Sequence, residues 1–289
     1  MTGSRPRTAA WCVWLASVLT AASLIKNPLY QVILLATVGV VFAAAPRPAD
    51  QSRVWSAFLK LGLTFILISL LYNVLISHTG ETVLAALPKW LPVVGGNITA
   101  EAAVFGAVFG LTFLLGMLGF AAFNLQVRAV ELVRLLPRAW RSAATVISVT
   151  FSFIPATGAA AAEIQEAQLI RGLDYGGGVA GRVKRAGAIL TPLVVTGLEK
   201  AITTAESMES RAYGNPAASS VRQDKEPWTA KDLVLLGTAV GAAAAIIAAS
   251  TTGWAPLGYQ PYPVLTAPAF NPIVGLVICL YAIPAVGQT

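Results

Sequence analysis

Six long apolar runs divide this chain: Ala9 to Ile25, Leu29 to Ala45, Trp55 to Ile76, Ala102 to Phe123, Leu233 to Ala249 and Pro272 to Val286. Each is nearly free of charge, and a membrane-spanning helix takes about 20 such residues. The third and fourth runs cross comfortably. The first two are near the short limit, so a re-entrant hairpin stays open beside a pair of spans. Lys26-Asn27-Pro28 predicts the turn between them. Arg5 and Arg7 ahead of the first run resemble the start of a signal peptide, but no convincing cleavage site follows, which predicts a retained hairpin. In the fourth run Gly106, Gly110, Gly116 and Gly119 recur at helical spacing and predict close approach of another helix. The fifth run is alanine-rich, and the loop after it, Ser250 to Pro268, carries Trp254, Tyr259 and Tyr262, rings suited to a bilayer interface.

Between the fourth and fifth runs the pattern changes. Residues Val127 to Lys231 hold 13 of the 20 Lys and Arg and nine of the 13 Asp and Glu residues. The excess of basic residues predicts a cytoplasmic location for this segment. Ser142 to Thr157 and Ala186 to Leu198 are nonetheless uncharged, which predicts helices that lie under the bilayer or against another membrane protein. The expected elements are a short helix over Ala129 to Leu136, a long apolar helix through Phe151, a helix ending at Arg171, and one from about Pro192 to Arg211. The chain therefore reads as an all-α polytopic membrane protein with three regions: 1–126 with about four spans, a cytoplasmic module at 127–232, and 233–289 with about two spans. Six crossings put both termini in the cytoplasm, and the count changes by two if the apolar stretches of the module also cross.

Composition agrees with this class: 56% of the 289 residues are hydrophobic and 11% are charged, against about a quarter charged in soluble domains. The net charge of +7 is explained by basic cytoplasmic loops rather than by nucleic acid. Cys12 and Cys279 lie in apolar runs and offer neither a disulfide framework nor metal-ligand spacing. His78 is the one histidine, in the loop from His78 to Thr99, and reads as a solvated side chain; no histidine triad or metal cluster can be assembled around it. Asn97-Ile98-Thr99 fits a glycosylation sequon, a pattern frequent by chance. The glycine spacing of Gly176-Gly177-Gly178-Val179-Ala180-Gly181-Arg182-Val183 suggests a phosphate-binding loop, but the lysine and hydroxyl that contact phosphate and magnesium are missing. It reads as a flexible turn, and the basic cluster Arg182, Lys184 and Arg185 after it either faces anionic headgroups or anchors the loop. The spans carry no Asp or Glu at mid-membrane, where ion-coupled carriers usually place such groups.

The segment Glu163 to Gly214 holds one device twice. Glu166-Ala167-Gln168-Leu169-Ile170-Arg171-Gly172 and Glu206-Ser207-Met208-Glu209-Ser210-Arg211-Ala212 both run from a glutamate to an arginine and a small residue. Gly172, Gly176 and Gly214 can supply the left-handed conformation that closes a helix, and Pro216 cannot continue one. Each arginine is thereby expected at a helix C-terminus, its guanidinium projecting beyond the last turn and able to bind a carboxylate on a partner in bidentate fashion. A lone arginine there is also what helix capping by itself produces. Two in matched contexts ask for more.

On these residues the chain resembles the transmembrane T component of energy-coupling factor importers, the EcfT, CbiQ and BioN group. That family carries two short Ala-Arg-Gly-like signatures at the ends of two cytoplasmic coupling helices. Ile170-Arg171-Gly172 and Ser210-Arg211-Ala212 stand in their place, departing from the leading alanine at Ile170 and Ser210 and from the glycine at Ala212. The resemblance implies a non-catalytic subunit of a prokaryotic cell membrane importer for a vitamin or transition-metal ion. It implies cytosolic ABC ATPases as partners that receive Arg171 and Arg211, with ATP and Mg bound by those partners and no cofactor on this chain. It also implies a small integral membrane protein, the S component, that binds the substrate. Glu166, Ile170, Glu206 and Ser210 are the supporting positions. Two other readings remain: a permease subunit of a conventional ABC transporter that holds substrate itself, and a non-transport membrane scaffold.

Overall fold

The computed structural model describes residues 7–44, 48–77, 79–86, 97–133, 135–136, 140–172, 178–213 and 228–286. The chain divides into two compact units, Met1–Leu132 with Trp228–Thr289, and Val133–Pro227. The first contains α1 (Thr8–Leu24), α2 (Pro28–Ala43), α3 (Pro48–Ile76), α4 (Ala100–Gln126) and most of α5 (Ala129–Val133). From its second segment come α8 (Ala230–Thr252) and a broken C-terminal helix, with α9 (Pro272–Cys279), a 3-10 turn over Leu280–Ala282 and α10 (Ile283–Val286). The second unit is built on α6 (Arg141–Ile170) and α7 (Val179–Ser210). Helices α3, α4, α6, α7 and α8 are each long and apolar enough to cross a membrane.

The core of the first unit forms where α1, α2, α4, α8 and the C-terminal helix meet, around Trp14, Leu34, Leu115, Leu118 and Ile246, all at most 1% exposed. Glycine spacing sets how α4 is packed. A Cβ on Gly110 would lie 2.6 Å from the Ile66 Cα, and one on Gly106 2.9 Å from the Leu70 Cα, so α3 meets α4 backbone to backbone. The same stripe continues against α1, where a Cβ on Gly119 would lie 3.2 Å from Val18. Apolar attraction between helices is weak in lipid, and close contact of this kind supplies the packing.

Polar side chains fix the remaining joints. Gln31 is fully buried and donates from Nε2 to the Ile25 carbonyl at 3.0 Å and to the Thr112 hydroxyl at 2.9 Å, tying α2 to α4. The turn before α2 is held by Asn27, whose carbonyl caps the Leu29 N–H at 3.1 Å while its amide donates to the Pro256 and Ala269 carbonyls at 3.2 and 2.7 Å. Pro28 then occupies the first helical turn, where its missing N–H costs nothing. Trp14 donates its indole N–H to the Tyr281 carbonyl at 3.3 Å, and the Tyr281 hydroxyl donates to the Ser17 carbonyl at 3.2 Å. At the start of α8, Asp232 accepts from the Thr229 N–H and hydroxyl at 2.9 and 2.6 Å in a capping box, and its other oxygen accepts the Arg7 N–H at 2.6 Å.

Three expectations are corrected. The long apolar helix through Phe151 and the helix ending at Arg171 are one element, α6, with Pro155 inside it. A proline removes one hydrogen bond without ending a helix whose flanking sequence, Ala-rich here, keeps helical geometry. Helix α7 starts at Val179 rather than near Pro192, so Arg182, Lys184 and Arg185 lie in its first two turns and not in a loop. The loop after α3 contains a small antiparallel pair, β1 (Val83–Ala86) with β2 (Asn97–Thr99), pairing Val83 with Thr99 and Ala86 with Asn97. The sequon residues form β2, and Thr99 is buried, donating its hydroxyl to the Thr79 carbonyl at 2.9 Å. His78, Gly176, Gly177, Gly214 and Pro216 lie outside the described residues.

Candidate functional site

The two arginine tips are built by the ends of α6 and α7. Helix α6 ends at Ile170 with Arg171 as its C-cap, and Gly172 follows at φ +76°, its N–H bonded to the Leu169 carbonyl at 3.0 Å. Helix α7 ends at Ser210 with Arg211 as its C-cap. There the Ala212 N–H donates to the Glu209 carbonyl at 2.8 Å and the Tyr213 N–H to the Met208 carbonyl at 2.9 Å, the two bonds of a Schellman motif. The left-handed residue at this tip is Ala212, at φ +51°, directly after the arginine. The glycine expected to close this helix, Gly214, lies outside the described residues. The left-handed position of a Schellman motif is the one immediately after the C-cap, whichever residue occupies it.

The side chains at the two tips repeat as well. Ile164 and Gln168 on α6 are half-buried, as are Thr204 and Met208 at the corresponding places on α7, while Glu166, Ile170, Arg171, Glu206, Ser210 and Arg211 are exposed. Ile170, beside Arg171, is 81% exposed. Neither arginine makes an ion pair among the described residues, and Glu166 and Glu206 pair with neither of them. Each guanidinium is thus an available fork of donors at the negative end of a helix dipole.

Contacts within this unit set where the tips lie. Thr145 and Tyr213 share a hydroxyl hydrogen bond at 2.8 Å, Lys200 sits 5.5 Å from the centre of the Phe153 ring, and Gln168 donates to the Ala188 carbonyl at 2.8 Å. Early positions of α6 meet late positions of α7 and the reverse, so the helices are antiparallel. The structure does not bring Arg171 and Arg211 together. Arg211 is two residues from Tyr213, which bonds Thr145, and the helical rise from Thr145 to Arg171 separates the tips by roughly 40 Å.

Two residues outside the predicted set hold this geometry. Pro192 has no N–H for the carbonyl one turn back, which is that of Ala188, and Gln168 from α6 fills the vacancy. The proline supplies an acceptor and the partner helix uses it. The sequence signal was present, a proline within a helix and an amide side chain near the end of its neighbour, but the pairing between them was not legible. Tyr213 acts similarly at the other end through Thr145. Among the described residues no group of three His, Cys, Asp or Glu side chains is placed to hold a metal ion.

Residues 3–221 match the family described as CbiQ, Cobalt transport protein. The chain is similar to the energy-coupling factor transporter transmembrane protein EcfT of Bacillus subtilis (strain 168), 27% identical over 219 residues that cover 70% of this chain and 76% of that protein. The protein of the same description from Limosilactobacillus fermentum is 27% identical over 239 residues, covering 79% of this chain and 85% of its own length. That of Lactobacillus helveticus is 36% identical over 94 residues, about a third of each chain.

Proposed function

This chain belongs to the CbiQ family, and from that premise we propose that it is the transmembrane coupling subunit of an energy-coupling factor importer in the prokaryotic cell membrane. In this reading cytosolic ABC ATPases bind and hydrolyse ATP with Mg, and the chain itself catalyses nothing. The observation that carries the proposal is the pair of exposed arginines, without an ion-pair partner among the described residues, that close α6 and α7 at opposite ends of one antiparallel pair. A charge left without a partner at a rigid helix end is costly to bury and well placed to meet a carboxylate in a groove. Arg171 with Gly172 and Arg211 with Ala212 each enter one ATPase. A separate small membrane protein, the S component, holds the vitamin or transition-metal ion. ATP-driven closure of the ATPases moves the tips, and α6 and α7 transmit that movement to the S component.

The test uses the full chain, tagged and gently extracted from its native membranes, with co-purifying chains identified by mass spectrometry. Recovery of ABC ATPases together with small, very hydrophobic proteins is the expected result. Arg171→Glu with Arg211→Glu should abolish ATPase recovery while the chain still reaches the membrane, since each buried arginine contact contributes about 2 to 5 kcal/mol. ATPases that remain bound to the double variant would sink the proposal. ATPases recovered with a soluble binding protein would favour a conventional permease instead.

A further inference from the structure

We infer that the first half of α7, Val179 to Leu198, is a recognition surface for anionic phospholipid, lying along the bilayer interface with Arg182 and Lys184 on headgroup phosphates. The 32 residues of α7 are enough to cross a membrane by length. Their charges argue otherwise. Between Arg185 and Glu199 only the 13 residues Ala186 to Leu198 are uncharged, and a span needs about 20. The helix is instead laid out as an interfacial one. Val179, Val183, Leu190 and Val194 recur on one face and are 74%, 66%, 60% and 60% exposed, an uncovered apolar stripe along four turns.

Charge placement identifies what covers that stripe. A helical step of about 100° puts Arg182 on one edge of the stripe and Lys184 on the other, and Arg185 is half-buried behind them. None of the three is in an ion pair among the described residues. From residue 179 to 198 the sequence contains no Asp or Glu, whereas Glu199, Glu206 and Glu209 follow in the second half of the helix. The cationic character therefore belongs to the half that carries the stripe. An apolar floor flanked on both sides by negative phosphates is what a bilayer containing anionic lipid presents, and basic residues on the edges of an amphipathic helix match it. This lipid contact needs only that the chain resides in a membrane.

The test places the full chain in lipid nanodiscs, with Cys12 and Cys279 changed to alanine and a fluorophore attached at Leu190→Cys. Brominated lipid should quench the probe in discs of equimolar phosphatidylcholine and phosphatidylglycerol, and much less in discs of phosphatidylcholine alone. Arg182→Gln with Lys184→Gln should remove the difference, and Glu206→Gln with Glu209→Gln should leave it intact. Raising salt on the chain that retains Arg182 and Lys184 should weaken the quenching in the anionic discs, a readout that no folding defect can mimic. Equal quenching in both kinds of disc would overturn the inference, because the stripe would then bury itself without reading charge. So would a probe that stays unquenched in both, whether in water or under protein.

Discussion

Ala212 is the residue where backbone chemistry and proposed function meet most closely. Its φ of +51° places an L side chain in the left-handed region, which costs roughly 1 to 2 kcal/mol. Gly172 holds the matching position after Arg171 at φ +76° with nothing within 4 Å of where a Cβ would stand. Ala212→Gly should therefore raise the stability of the second tip by about 1 kcal/mol, and Gly172→Ala should lower that of the first by a similar amount. Hydrogen exchange at the amides of residues 212 and 172 reads both effects, slower in the first variant and faster in the second. Equal exchange before and after either substitution would mean that the arginines are not held by these caps. Arg171 with Gly172 was legible in the sequence because glycine after a last turn has one dominant use. Ala212 was not, since alanine more often continues a helix than ends it, and only the bonds from Ala212 and Tyr213 back into α7 reveal its role.

At the scale of elements, the two prolines show what local pattern can and cannot convey. Pro192 suggested a helix start, and both Pro192 and Pro155 are interior to helices. A proline leaves one carbonyl without its donor, and whether the helix continues depends on what else satisfies that carbonyl, a tertiary fact. For Pro192 the donor is Gln168 on the neighbouring helix. Gln168→Leu keeps the size and removes the donor, leaving the Ala188 carbonyl unpaired at a cost of about 1 kcal/mol. Its expected signature is faster amide exchange in α7 near Ala188 together with a lower Tm of the purified chain. The second substitution Pro192→Ala, which restores the N–H, should return exchange toward its original rate. If Gln168→Leu changes neither measurement, the hydrogen bond does not hold the pair together. The spans α3 and α4 were by contrast legible apart from their ends, because long, nearly charge-free runs and the spacing of Gly106 and Gly110 are local features.

For the whole molecule, the separation of the tips decides how many partners the proposed coupling needs. Arg171 and Arg211 lie roughly 40 Å apart at opposite ends of the α6 and α7 pair, further than one groove on one small domain extends. Under the proposed function they contact two ATPase subunits, one each, and their energies combine through the chain that joins them. Sites this distant are expected to be independent, so their effects on binding should add. Arg171→Glu and Arg211→Glu should each weaken capture of the ATPase pair by at least tenfold, and the double substitution should cost the product of the two factors. The dissociation constants of the purified subunits in nanodiscs measure this, alongside crosslinks from a cysteine at 172 or 212 that should reach different ATPase subunits. A double variant no weaker than the worse single one would mean that both arginines serve a single contact, and the antiparallel geometry forbids that unless the two helices rearrange on binding. The same comparison thus reports whether α6 and α7 act as one rigid lever or as two separate ones.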